Sequence, residues 1–337
     1  MHRSRQRGFS LMEITIVMAI VSGLMILVYT LVEETMRTSM FNESHNDLAI
    51  LSQKAVNDVQ SAVLEARVAF EENTTGASYR TAFTLPSTVT VWPGSLLPVF
   101  DATGEIEPDL PAQRFTGNSL LLARQLPPLS VTYDHDANSA TPEIELLVDC
   151  YRFDYFYLAR TGVVSFSGSG MSLDFMTSRS NAYADYFQIA SLGTTAIRRL
   201  TPKLIAAGLT LAWNPGQPID NSVYTVAGAL DGVFDPPLRT PTIAATTTQT
   251  LLRGLLGGRI SGKMNYSVAF GTYPIRTPVR VFAPSIVANP GFPSGFEVKV
   301  TGPSRKRKVM TRLVLMSHYG ARSYESQQAF VITAARF

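Results

Sequence analysis

Residues 3–34 read RSRQRGFSLMEITIVMAIVSGLMILVYTLVEE, and this stretch decides the fold. A basic leader carrying Arg3, Arg5 and Arg7 ends at Gly8. Phe9 to Met12 then lead to one carboxylate, Glu13, and an uncharged run from Ile14 to Val32. As a helix rising about 1.5 Å per residue, that run spans roughly 28 Å, close to the hydrocarbon thickness of a bilayer. The leader arginines before it and Glu33 and Glu34 after it favour an N-inside orientation, which sends the body of the chain outward. Glu13 needs an explanation, because an isolated ionised group in hydrocarbon is costly and usually functional. A secretory signal peptide is the competing reading. Its apolar core should end at a small-residue cleavage site, whereas here strong apolar sequence continues far beyond Ala19 and Ser22.

The chain has 337 residues, enough for one large domain or two smaller ones beside an anchor. Its hydrophobic content of 45% supports a real core, while charged residues make up only 16%. The surface therefore relies on Thr, Ser, Asn and Gln, a composition that fits an extracytoplasmic protein. The formal charge of +3 belongs to the leader: without Arg3, Arg5 and Arg7 the 29 basic side chains fall to 26, equal to the 26 acidic ones. A general nucleic-acid surface is unsupported, and any such activity needs a local patch. Cys150 is the only cysteine, so no intrachain disulfide forms. It flanks the aromatic run Tyr151, Phe153, Tyr155, Phe156 and Tyr157, where it reads as a buried small hydrophobe, against a nucleophile or an interchain bridge.

No proline occurs before Pro86, and Leu48, Leu51, Ala55, Val59, Ala62, Ala66 and Phe70 recur at spacings of three or four. That period predicts an amphipathic helix continuing to about Phe70, with its weakest segment at Asn42 to Asp47. From Phe9 such a helix is roughly 90 Å long. Glu71 to Ala77 reads as helix termination and a turn. Beyond it, short apolar runs lie between turn residues: Ser119 to Arg124, Glu143 to Val148, Phe153 to Leu158, Leu204 to Trp213, Val223 to Val226, Tyr266 to Phe270, Val279 to Ala283, Phe296 to Val300 and Thr311 to Met316. Pro236 to Thr250 reads as an exposed excursion. The expected fold is α+β: a long N-terminal transmembrane and amphipathic α-helix packed against a large β-rich head.

The segment Arg7-Gly8-Phe9-Ser10-Leu11-Met12-Glu13-Ile14-Thr15, followed by the long apolar helix, closely resembles the N-terminus of a type IV prepilin. The resemblance implies that a prepilin peptidase cuts after Gly8 and methylates the new amine of Phe9. It also implies that Glu13 docks the subunit against the N-terminal amine of a neighbour. Charge attraction in low dielectric agrees with such a pairing, although spacing alone equally allows it within one chain. Asn118 to Arg124 and the Cys150 to Leu158 aromatic strand are similar to segments of larger minor pilins and J-type minor pseudopilins. Many major pilins carry a proline roughly twenty residues into the mature helix, where this chain has Thr30; this favours a minor subunit. The implied divisions are a leader at 1–8, a transmembrane and filament-core helix at 9–32, its extracytoplasmic continuation at 33–70, and a pilin-like head at 71–337 with a soft subdivision near 200–220. The implied partners are the prepilin peptidase, other major and minor pilins or pseudopilins, and the inner-membrane assembly machinery. The implied location is the inner membrane with the head in the periplasm, then a pilus or pseudopilus at the cell surface.

Two further residue sets carry candidate chemistry. Asp134, Asp136, Asn138 and Glu145 match ligand positions one, three, five and twelve of a calcium loop, although Ser139 replaces the turn glycine and Pro142 occupies another loop position. A nonstandard Ca²⁺ loop thus competes with a solvated strand connection, and no other cofactor is expected. Arg305, Lys306, Arg307 and Lys308 follow the turn-forming Gly302, Pro303 and Ser304. If exposed they offer an anion contact to nucleic acid or lipid, against a solvated hairpin or protein-contact patch. No catalytic constellation is apparent. His2, His45, His135 and His318 are scattered, Gly168-Ser169-Gly170 lacks the nucleophile-elbow pattern, and no Walker loop or H-E-x-x-H occurs. The expectation is a structural assembly protein, with a DNA- or surface-binding minor pilin and a membrane-anchored enzyme as rivals.

Overall fold

A computed structural model describes residues 10–91, 95–103, 115–134, 142–160, 165–166, 170–185, 188–189, 191–213, 243–252, 265–271, 295–319, 323–335 and 337. The leader, Gly8 and Phe9 lie outside them, as do the expected strands Val223 to Val226 and Val279 to Ala283. The chain divides into two compact units, Met1–Asp47 and Leu48–Phe337.

The first unit, where described, is helical. Helix α1 runs Leu11–Glu65, and its N-terminal part is long and apolar enough to cross a membrane. Every large apolar side chain from Leu11 to Val32 is exposed, with Leu11 at 85% and Met25 at 70%. A helix apolar all round and uncovered by protein suits lipid rather than water. Glu33 and Arg37, one turn apart, form the first ion pair beyond this run, at 2.5 Å.

The second unit contains the rest of α1, helices α2 (Thr74–Ala82) and α3 (Thr194–Ala206), and one sheet. Its first strands are β1 (Ala66–Ala69), β2 (Phe83–Thr84), β3 (Thr90–Val91), β4 (Phe100–Asp101), β5 (Leu120–Tyr133), β6 (Ile144–Arg160) and β7 (Ser165–Phe166). They are followed by β8 (Gly170–Asp185), β9 (Leu209–Trp213), β10 (Ile243–Leu252), β11 (Asn265–Gly271), β12 (Phe296–Thr301), β13 (Arg307–Tyr319) and β14 (Ser323–Ala335). The main order is β1-β5-β6-β8-β11-β13-β12-β4, with β10 against β8 and β14 against β13. Most pairings are antiparallel; β2 with β10, β4 with β12 and β8 with β9 are parallel.

Alternation along the strands explains how α1, α2 and α3 cover the sheet. On one face Leu120, Leu122, Phe156, Leu158 and Phe175 meet Leu48, Ala55, Val59 and Ala62 of α1. Further along the same face, Val131, Val148 and Cys150 meet Ile197, Leu200 and Leu204 of α3. On the opposite face Phe153, Tyr155 and Tyr157 pack with Tyr79 and Phe83 at α2, and the Phe70 and Tyr79 rings lie 4.3 Å apart. Strand β6 is therefore apolar on both sides, as expected of a strand covered on both faces.

The structure departs from the sequence expectations at several points. Helix α1 stops at Glu65, and Ala66–Ala69 pair with β5, with Ala69 opposite Leu122. Phe70 N–H then donates to Leu121 O at 3.0 Å, so the sheet edge satisfies backbone groups that a continued helix would have bonded internally. The turn expected at Glu71 to Ala77 contains the start of α2, whose Gly76 N–H is capped by Asn73 Oδ1 at 2.8 Å. The expected runs Glu143 to Val148 and Phe153 to Leu158 fall, from Ile144 onward, in one strand, and Leu204 to Trp213 is the end of α3 followed by β9. Pro236 to Pro241 lies outside the described residues. The later part of that expected excursion is instead β10, in register with β8 from Ala245 opposite Ser180.

Candidate functional site

The N-terminal site begins at Ser10. Its backbone N–H donates to Glu13 Oε2 at 2.9 Å, and Glu13 N–H donates to Ser10 Oγ at 3.3 Å. Two amide groups that the first helical turn leaves unbonded are thus satisfied reciprocally, and a carboxylate sits at the positive end of the helix. Thr15 Oγ1 donates to Leu11 O at 2.8 Å, so this hydroxyl too is satisfied locally within an apolar segment. Ser10 was not singled out by sequence reasoning. Its signal was present, because Ser10-Leu11-Met12-Glu13 is the S-x-x-E capping pattern. Gly8 and Phe9 lie outside the described residues, so the geometry of this site starts at Ser10.

The expected calcium ligands are divided. Asp134 follows the end of β5 and pairs with Arg199 of α3. Glu145, at the start of β6 opposite Thr132, accepts from the Ser130 hydroxyl. Asp136 and Asn138 lie outside the described residues. Among the described residues no group of three or more His, Cys, Asp or Glu side chains could hold a metal ion. The Arg199 guanidinium already supplies Asp134 with a cation.

The basic cluster occupies the β12–β13 hairpin, where Thr301 pairs with Lys308. Gly302 and Arg305 both take positive φ, 102° and 67°, which turns the chain within five residues. Arg305, Lys306 and Lys308 are exposed. Arg307 is different: its guanidinium lies 4.0 Å over the Phe100 ring, and burial pushes its pKa down against the opposing pull of Glu71. The four consecutive basic residues therefore present three charges to solvent and use the fourth to hold β4 against the hairpin.

A charged cluster that sequence reasoning missed lies inside the head. Asp154 of β6 is fully buried; its Oδ2 accepts from Arg124 of β5 at 2.8 Å. Its Oδ1 lies 3.5 Å from Arg152 Nε and 3.6 Å from Arg179 Nε of β8. Arg124 also pairs with Glu65, the last residue of α1. Strand register assembles the group, with Arg124 opposite Arg152 and Asp154 opposite Arg179. Burial pushes the Arg152 pKa down and the Arg124 and Arg179 charges add to that, while Asp154 opposes it. No local spacing announces such a cluster, because its members come from four elements.

Cys150 is buried, its thiol donates to Val148 O at 3.4 Å, and burial pushes its pKa up. That is the environment of an inert core thiol rather than an activated nucleophile. No protein-family model, curated protein or solved structure matches this chain. What its geometry shows is a helix able to cross a membrane and a β-rich head, an architecture of the general pilin-like kind.

Proposed function

We propose that the chain is a structural minor pilin or pseudopilin that helps initiate or assemble a type IV pilus or a type II secretion pseudopilus, and is not an enzyme. The observation that carries this reading is the uncovered apolar helix with one carboxylate, Glu13, at its N-terminal end. Lipid covers that surface before assembly; neighbouring subunit helices replace lipid afterwards. Cleavage after Gly8 places the Phe9 ammonium one residue before the Ser10–Glu13 cap. Glu13, satisfied by its own helix end, gains a neighbour's ammonium as a second partner on assembly, and the charge pair fixes axial register. Prepilin peptidase, other pilins or pseudopilins and the inner-membrane assembly machinery are the partners of this scheme.

Mass spectrometry of the chain recovered from cells that assemble it tests the scheme. The expected N-terminus is N-methylated Phe9, with Glu13→Ala chains inserted and processed but absent from filaments. An unprocessed N-terminus on filament-incorporated chains, or full incorporation of Glu13→Ala, contradicts it. A second reading, a DNA- or surface-binding minor pilin, draws on the exposed Arg305, Lys306 and Lys308. DNA binding retained after their neutralisation removes that patch from consideration.

A further inference from the structure

The Arg124–Asp154–Arg152–Arg179 cluster lies on one face of the sheet between two apolar clusters, one covered by α1 from Leu48 to Val63 and the other by α3. Three guanidinium groups share one buried carboxylate there. The second carboxylate, Glu65, is 52% exposed; its Oε2 pairs with Arg124 and its Oε1 accepts from the Ser61 hydroxyl. Among the described residues, Asp154 is the one carboxylate in ion-pair range of Arg152 and Arg179, at separations too long for strong hydrogen bonds. Asp154 Oδ1 and the Nε atoms of both arginines are buried without a hydrogen-bond partner. The two side chains are nevertheless 27% and 34% exposed. Among the described residues, positive charge thus exceeds negative where these two partly exposed guanidinium groups lie between the apolar clusters under α1 and α3.

We propose that Arg152 and Arg179 form a carboxylate-binding site that takes an acidic side chain of a neighbouring protein chain. A planar guanidinium matches a carboxylate through paired N–H donors, and two of them a few ångströms apart bracket one such group. The incoming charge offsets the excess that Asp154 leaves. A lone carboxylate at so open a site is screened by water, whereas one carried on a protein surface brings groups that exclude solvent. The site belongs to the head and does not depend on the Glu13 register.

The test uses the full chain in detergent micelles with ¹⁵N-labelled arginine, titrated with a tetraglutamate peptide or with inorganic phosphate. The peptide is expected to shift the Arg152 and Arg179 Nε–H signals. Its affinity is expected to fall about tenfold in Arg152→Gln/Arg179→Gln, the loss of charge-assisted hydrogen bonds. The hairpin variant Lys306→Gln/Lys308→Gln is expected to bind as the parent chain does. Absence of shifts at Arg152 and Arg179 in the parent chain overturns the proposal without reference to any variant's folding. Equal weakening in the hairpin variant, or phosphate binding as tight as the peptide with the same shifts, overturns it as well.

Discussion

Ser10 and Glu13 cap the same helix end reciprocally, each backbone N–H bonded to the other's side chain at 2.9 and 3.3 Å. Only the Ser10 hydroxyl and the Glu13 carboxylate are needed, so cleavage after Gly8 leaves the arrangement intact. Ser10→Ala removes one of its two bonds. A lost N-cap costs about 1 kcal/mol, so amide exchange in the first turn of α1 should accelerate about fivefold in micelles. Unchanged exchange rates would show that the cap contributes nothing there.

Asp154 holds three arginines, and its removal leaves buried positive charge uncompensated. Asp154→Ala should cost about 3–5 kcal/mol of head stability in chemical denaturation of the full chain. Glu65→Ala, at the half-exposed end of the same network, should cost under about 1 kcal/mol. Equal losses at the two positions would mean that the cluster is not organised around Asp154.

How much of this was legible in the sequence depended on whether a signal was local. The inner stripe of α1 was legible because Leu48, Ala55, Val59 and Ala62 recur at helical spacing, and all four are buried. Its end was not, because Ala66 and Phe70 continue the same period while their backbone pairs with the sheet. Strand β8 went unread because buried Asp174, Thr177, Ser178 and Ser180 give it the look of a loop. Strand β6 reads as two apolar runs because Asp149 and Arg152 put charge between Val148 and Phe153, and the pairing of Arg152 with Asp154 beside Arg179 is not visible in a local pattern. The N-terminal helix cap could have been read from Ser10 and Glu13. The Asp154 cluster could not, because it exists only once β5, β6 and β8 are in register.

Tyr157 is buried, stacked 4.8 Å from Tyr155, and within 3.0 Å of the Ser178 hydroxyl. Burial pushes its pKa from 10.0 up to about 12, and that of Tyr155 also upward. In this window the unfolded chain has released the phenolic proton and the folded chain retains it, so stability falls as pH rises from 10 towards 12. Below pH 10 the contribution is fully present. Phenolate absorbance should rise late and together with unfolding, and Tyr157→Phe should flatten the alkaline loss. Early, reversible ionisation of Tyr157 in the folded chain would contradict this.

Arg307 and Phe100 make the basic hairpin unequal in its parts. Arg307→Ala should cost about 1–2 kcal/mol through lost stacking and packing. Lys306→Ala and Lys308→Ala should stay within about 0.5 kcal/mol. Thermal melts of the three variants measure this directly, and a uniform response would deny Arg307 its separate role.

In the proposed assembly the Glu13 charge, beyond its part in the helix cap, registers this subunit against its neighbours. Glu13→Gln separates the two roles, because the amide oxygen still accepts from Ser10 N–H while the charge is gone. The direct measurement is photo-crosslinking in intact cells from a probe at Leu24, on the exposed apolar surface of α1, with mass identification of the joined proteins. Crosslinks to other pilin-like helices are expected in the parent chain and their loss in Glu13→Gln, with membrane insertion and processing unchanged. The same crosslinks at the same yield in Glu13→Gln would contradict it.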